Sequence, residues 1–280
     1  MRDVSLGQYY AVDSVIHRLD ARCKLVATIV YITMVMFITT FLGFGIVLIF
    51  ILAVALLAKI PLLKLLRSLR PVLFLLVFTL LFTIAFSGGQ PYEYAWSWWI
   101  FNVYPSALMS AGLLSCRLIV VMLAPSIMTL ATTPVDLSDA LTSLLKPLSL
   151  IKIPVHELGL IMSIALRMIP SLSEETSKII NAQKARGADF ESANLFRRAK
   201  SLLPILIPLF ISALRRANEL ADAMDSRCYR GAKGRTRMKV MRFKLRDVMA
   251  LLLLAILFFG ILILRYDWWN WLGEFGRVIV

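Results

Sequence analysis

The chain has 280 residues, of which 59% are hydrophobic and only 17% charged, yet its formal net charge is +14. A mean hydropathy of +0.78 excludes an ordinary soluble domain and points to a polytopic membrane protein. Cys23, Cys116 and Cys228 form no metal or disulfide pattern and read as reduced packing residues. His17 and His156 are too few and too far apart in sequence for a metal site or triad.

Residues 1–24 are polar to amphipathic, and no cleavable signal peptide is apparent. Asp20 is placed to cap the first helix, with Arg22 and Lys24 at its cytoplasmic lip. The apolar run from Leu25 to Ala58 holds 34 residues. As one helix it would reach about 50 Å, too long for a single crossing of a roughly 30 Å core. Gly43 and Gly45 therefore mark a turn between spans Leu25–Thr40 and Ile46–Ala58. The linker that follows carries Pro61 and Pro71, with Lys59, Lys64, Arg67 and Arg70 and no acid, which is an inside signal. Val72–Phe86 is a third span. The stretch after it holds Tyr92, Tyr94, Trp96, Trp98, Trp99 and Tyr104 with no Lys or Arg, as an outer interfacial loop would. Ala107–Leu130 is a fourth span with Arg117 inside it, which must pair, face protein or snorkel.

Thr133, Pro134 and Asp136 open an amphipathic helix to Lys146. A further helix runs from Pro154 to Met168. Its apolar run of about twelve residues is short for a crossing, so it is expected near the interface or against the membrane body. Pro170 then resets the chain. Two long helical patterns follow, and each ends on a small residue, an arginine, and a helix breaker or cysteine. The endings are Ala185-Arg186-Gly187 and Ser226-Arg227-Cys228, the second followed by Tyr229-Arg230-Gly231. Pro204 and Pro208 bend the second pattern. Val248–Leu264 is the last span, closed by Arg265 and Trp268-Trp269-Asn270-Trp271. Between Ala131 and Arg246 there are 20 Lys plus Arg against 10 Asp plus Glu. That imbalance puts the N-terminus and the long insert inside and the C-terminus outside.

The expected fold is an all-α polytopic membrane protein of about five or more spans. Membrane helices occupy 1–130, a cytoplasmic helical coupling region 131–245, and a final span with its tail 246–280. No glycine-rich loop precedes Lys-Ser or Lys-Thr, so the chain alone does not hydrolyse ATP. Asp222 and Asp225 lack a third ligand for a metal, and no reactive constellation marks a catalytic residue. The basic excess follows topology rather than nucleic-acid binding. A self-contained transporter or channel with its own path is an alternative that Arg117 alone supports. The two arginine endings are open to two readings. Arg and Gly are favoured at any helix C-terminus. Alternatively, an exposed guanidinium fork on a helix tip is suited to a carboxylate or carbonyl pocket on a partner.

The order of several motifs between the membrane blocks carries a resemblance. These are Ser14 through Lys24, Thr133-Pro134, Arg167-Met168-Ile169-Pro170, Ala182 through Gly187, and Ala221 through Gly231. Over nearly its whole length the chain resembles the transmembrane T component of energy-coupling factor (ECF) transporters. The resemblance implies a non-catalytic coupling subunit of a prokaryotic plasma-membrane importer for vitamins or metal ions such as cobalt or nickel. It implies docking on two cytosolic ABC-type ATPases, which bind the ATP and Mg, and a platform for a substrate-binding S component. This chain would bind no cofactor itself. Ala185, Arg186 and Gly187 would form the first docking tip and Ser226, Arg227 and Cys228 the second, with Arg230 and Gly231 as supporting or alternative contacts. The second tip departs from the Ala-Arg-Gly pattern at Ser226 and Cys228.

Overall fold

The computed structural model describes residues 9, 10, 12–86, 96–98, 101–152, 154–188, 195–231 and 243–278. The helices, in order, are α1 (Ala21–Met36), α2 (Phe41–Leu57), α3 (Leu62–Ser68), α4 (Arg70–Phe86), α5 (Pro105–Ala131), α6 (Pro134–Leu144), α7 (Val155–Ala185), α8 (Leu195–Ser226) and α9 (Leu245–Val278). A 3-10 turn, Lys146–Ile151, connects α6 to α7. The stretch read as an aromatic loop contains a short antiparallel ribbon between α4 and α5. In it β1 (Trp96–Trp98) pairs with β2 (Phe101–Val103), Trp96 opposite Val103. Tyr92, Tyr94 and Trp99 of that stretch lie outside the described residues.

Among the described residues, α5, α7 and the Leu245–Ile263 part of α9 are long and apolar enough to cross a bilayer. A fourth candidate is the α3–α4 pair, bent by 57° near Pro71. Five spans are not reached on this criterion, because the long apolar run is cut at Phe37–Thr40. That leaves α1 with 16 residues and α2 with 17. At 1.5 Å per residue they reach about 24 and 26 Å, short of a roughly 30 Å core. The basic linker is mostly helical, as α3.

The chain separates into two compact units. One comprises 7–137 with 241–280. Its core is drawn from α1, α2, α5 and α9, with Tyr31, Met34, Val35, Val47 and Ala55 almost fully enclosed and Val120, Ile127 and Leu254 beside them. A set of buried polar contacts ties the helix ends of this unit together. The Asp20 side chain accepts from the Arg22 amide at 3.0 Å and so caps α1, as its position suggested. The Asp20 amide in turn donates to Asp247 Oδ1 at 2.8 Å, and the Lys244 amide donates to Oδ2 at 2.8 Å. The buried Asp247 carboxylate therefore caps α9 and holds the entry to α1 at once. Lys24, also buried, donates through Nζ to the carbonyls of Ala131 (2.8 Å) and His17 (3.2 Å). Ala131 is the last residue of α5, where unpaired carbonyls accumulate and a cation is favoured. Arg117 uses the same device, donating through Nη2 to the Ile38 carbonyl at 2.7 Å, just past the end of α1. Its contact is thus structural, between helices. His17 bridges Tyr10 and Ser14: its Nε2 donates to the Tyr10 carbonyl at 2.9 Å, and its Nδ1 lies 2.8 Å from Ser14 Oγ.

The other unit covers 138–240. Here the main departure from the sequence reading is α7. Pro170 was expected to separate two helices, but it lies inside one helix of 31 residues. Proline lacks the N–H and crowds the preceding turn, at a cost of about 3 kcal/mol in a helix interior. The turn just after Pro170 is also held from outside. Arg216 of α8 donates through Nη1 to Ser171 and through Nη2 to Glu175. Helix α8 likewise runs unbroken through Pro204 and Pro208. Gly159 lets α7 approach Thr142, since a Cβ at this glycine would sit 2.5 Å from Thr142 Cγ2. Along α7 only Val155 is buried, and along the described part of α8 only Ile205.

Candidate functional site

Both arginine endings close in the same way. At the end of α7 the Ala188 amide donates to the Gln183 carbonyl at 3.0 Å and the Gly187 amide to the Lys184 carbonyl at 3.0 Å. At the end of α8 the Tyr229 amide donates to the Met224 carbonyl at 3.0 Å and the Cys228 amide to the Asp225 carbonyl at 2.9 Å. Each is the paired six-to-one and five-to-two arrangement of a Schellman cap. The position after the cap must turn left-handed, and it does so at Gly187 (φ 85°) and at Cys228 (φ 55°).

The registers match residue for residue. Ala185 and Ser226 are the last helical residues, Arg186 and Arg227 occupy the cap position, and Gly187 and Cys228 make the left-handed turn. Both arginines and both turn residues are exposed. The departures from Ala-Arg-Gly are therefore changes of residue within one geometry. The Ser226 hydroxyl is spent within its own helix, donating to the Asp222 carbonyl at 2.9 Å. Cys228 is exposed and is not a packing residue as first read. Arg230 is also exposed, but it lies beyond the cap, ahead of a second left-handed turn at Gly231 (φ 81°). By register, Arg227 is the counterpart of Arg186.

The two tips differ in charge. Lys184 precedes Arg186 in the last turn of α7. Asp222 and Asp225 precede Arg227 in the last turns of α8. Among the described residues no three of His, Cys, Asp and Glu gather as a metal would require.

A model of the CbiQ family, described as cobalt transport protein, matches residues 13–240. The chain is 43% identical over 271 residues to the energy-coupling factor transporter transmembrane protein EcfT of Clostridium kluyveri, covering 96% of this chain and 99% of that one. It is 44% identical over 266 residues to the EcfT of Acidaminococcus fermentans, covering 95% and 98%. It is 41% identical over 267 residues to that of Lactococcus lactis subsp. cremoris, covering 95% and 99%. The chain belongs to the EcfT family. Membership makes it a non-catalytic transmembrane transport subunit of the plasma membrane, and the matched stretch includes both arginine tips.

The sequence reading located the tips of this EcfT-family chain but missed two sets of polar contacts. One is the Asp20–Asp247 and Lys24–Ala131 set. The other is the fork from Arg216 to Ser171 and Glu175. A charge beside an apolar run, as at Lys24 before Leu25, was the available signal for the first. One of its two acceptors, the Ala131 carbonyl, lies 107 residues away, so sequence spacing could not name it.

Proposed function

We propose that this chain couples two cytosolic ABC-type ATPases to a substrate-binding S component, with Arg186 and Arg227 as the two docking arginines. The observation that carries the proposal is the pair of identical caps, each presenting an exposed arginine at the same position of a long helix. A helix C-terminus concentrates unpaired carbonyls, and a Schellman cap satisfies them internally. The cap thus frees the guanidinium to donate to carboxylates or carbonyls of another protein. The ATPases bind ATP and Mg, and this chain binds no cofactor. Ala185 and Ser226 are small enough for close approach of a groove wall, and Arg230 and Gly231 support the second tip. The unequal charge of the two tips fits two non-identical ATPases, and with one S component the assembly is a heterotetramer.

In this reading residues 131–245 form the coupling region on the cytoplasmic side with the N-terminus, the apolar half of α7 lying against the membrane rather than crossing it, and α1, α2, α4, α5 and α9 are the crossings that leave the C-terminus outside. Nucleotide-driven closure of the ATPases moves the tips, and α7 and α8 pass that movement to the S component. The S component reorients and releases a vitamin or another micronutrient such as a metal ion. Exposed apolar side chains on α7 and α8, among them Leu158, Ile161, Leu206 and Phe210, give a platform for it beside membrane lipids.

The test is Arg186→Glu together with Arg227→Glu in the assembled complex. Membrane insertion should be unchanged while ATPase co-purification falls by at least about tenfold, the equivalent of 1.4 kcal/mol. Each single variant should lose less. Full ATPase recovery by the double variant would sink the docking assignment.

A further inference from the structure

We infer that Arg216 is a positioning residue that locks the two arginine-tipped helices into one lever, so that displacement of one tip is passed to the other. The inference rests on the docking reading of the tips and adds the element that joins them.

The contact is a fork. One guanidinium nitrogen donates to Ser171 and the other to Glu175, residues four apart and therefore on one face of α7. Two attachment points one turn apart resist both sliding and rotation of α8 against α7, which a single ammonium could not do. Both partners are partly shielded, with side-chain exposures of 37% for Arg216 and 24% for Glu175. The pair is therefore less screened than a surface ion pair.

Among the described residues, few buried side chains fix the angle between these helices. Helices of 31 and 32 residues bury one described residue each. Apolar interlocking, which normally sets helix geometry, is therefore scarce here, and the polar fork carries a correspondingly large share.

The fork also stands at the same place on both arms. Glu175 is eleven residues before Arg186, and Arg216 is eleven before Arg227. Each arm beyond the brace is an unbroken helix of about 16 Å. Pro170, Pro204 and Pro208 all fall before the brace, so neither arm contains a proline. Two stiff arms of equal length joined by a two-point contact transmit a push. Flexible joints placed beyond the brace would absorb it.

The experiment uses the chain assembled with its ATPases and S component. Spin labels are placed at Asn181→Cys and Asp222→Cys, exposed positions on the two arms, in a Cys116→Ser, Cys228→Ser background. The interlabel distance is measured without nucleotide and with ATP plus vanadate. The unaltered brace should hold one narrow distance in both states. Arg216→Ala should broaden the distance and make it change with nucleotide while the ATPases still co-purify. Arg216→Lys, keeping the charge but not the fork, should be intermediate. The exchange Glu175→Arg with Arg216→Glu should restore a narrow distance that nucleotide leaves unchanged. A wild-type distance that shifts with nucleotide, or a narrow and nucleotide-independent distance in Arg216→Ala, would overturn the inference. If Arg216→Ala breaks the complex, the exchange variant decides: recovery of assembly and of the narrow distance supports the brace, and failure to recover overturns it. The docking reading fails by a separate result, retention of the ATPases by the doubly substituted tips.

Discussion

The body built on α1, α2, α5 and α9 and the pair α7 and α8 solve the problem of holding helices together in opposite ways. The body encloses Tyr31, Met34, Val35 and Val47 and then fastens its helix ends with charged groups that are themselves buried, Asp247 and Lys24. The pair α7 and α8 leaves most of its apolar residues uncovered and relies on a half-buried fork and a glycine-permitted approach to Thr142. The body has an enclosed core, although its outer faces also leave apolar residues such as Ile49 and Phe74 exposed. The pair is a fold awaiting other surfaces, protein or lipid. This is what a subunit whose work lies in its contacts would need.

The largest expected break in this contrast is at Asp247. Asp247→Ala removes the acceptor of two amides, those of Asp20 and Lys244. Leaving them unpaired should cost about 3 kcal/mol in thermal or denaturant unfolding of the detergent-solubilised protein. Asp247→Asn, which keeps one acceptor oxygen, should cost about half as much by the same argument. On the pair, Leu206→Ala removes a larger side chain but one that is 56% exposed. It should change stability by no more than about 0.5 kcal/mol. A comparable loss at both positions would mean that the pair is as self-contained as the body.

Next in size is Gly159→Ala. The new Cβ would meet Thr142 Cγ2 at 2.5 Å and Thr142 Cβ at 3.2 Å. A β-branched side chain has no flexible end to swing away, so overpacking should cost about 1–3 kcal/mol. Thr142→Ala in the same chain should recover most of that loss. A variant that melts unchanged would show that α6 and α7 yield at this contact, and that the pair is softer than the glycine implies.

These sites also mark what the sequence made legible. The helices, the cap at Asp20 and the register of the first tip follow from local chemistry, and local chemistry is what a sequence displays. Pro170 misled for the same reason: proline breaks a helix on local grounds, yet α7 continues through it, as α8 does through Pro204 and Pro208. Lys24 and Asp247 were visible as charges, but each also has a partner far along the chain, Ala131 and Asp20, that no local spacing names. The second tip was ambiguous because Cys228 is not glycine. Its identity as the equivalent of Gly187 is carried by backbone geometry, which residue type does not reveal.

That last equivalence yields the smallest and sharpest test, because it compares the two tips within one chain. Gly187 and Cys228 both turn left-handed, at φ of 85° and 55°. A Cβ at Gly187 would meet nothing within 4 Å, so a substitution there is opposed by backbone conformation and not by crowding. Gly187→Ala should weaken the cap by about 1 kcal/mol. Exchange of the Ala188 amide, which closes the cap onto the Gln183 carbonyl, should then quicken about fivefold. Cys228→Gly removes the same strain from the other tip, but glycine's greater freedom in the unfolded chain offsets part of the gain. The net stabilisation should be about 0.5 kcal/mol, read as roughly twofold slower exchange at the Tyr229 amide. Opposite signs at the two tips, with ATPase recovery retained in Cys228→Gly, would establish that the turn is the shared requirement and the residue filling it is not. Faster exchange at Tyr229 in Cys228→Gly would instead mean that the cysteine side chain contributes to the cap, and the two tips would then be different structures carrying similar sequences.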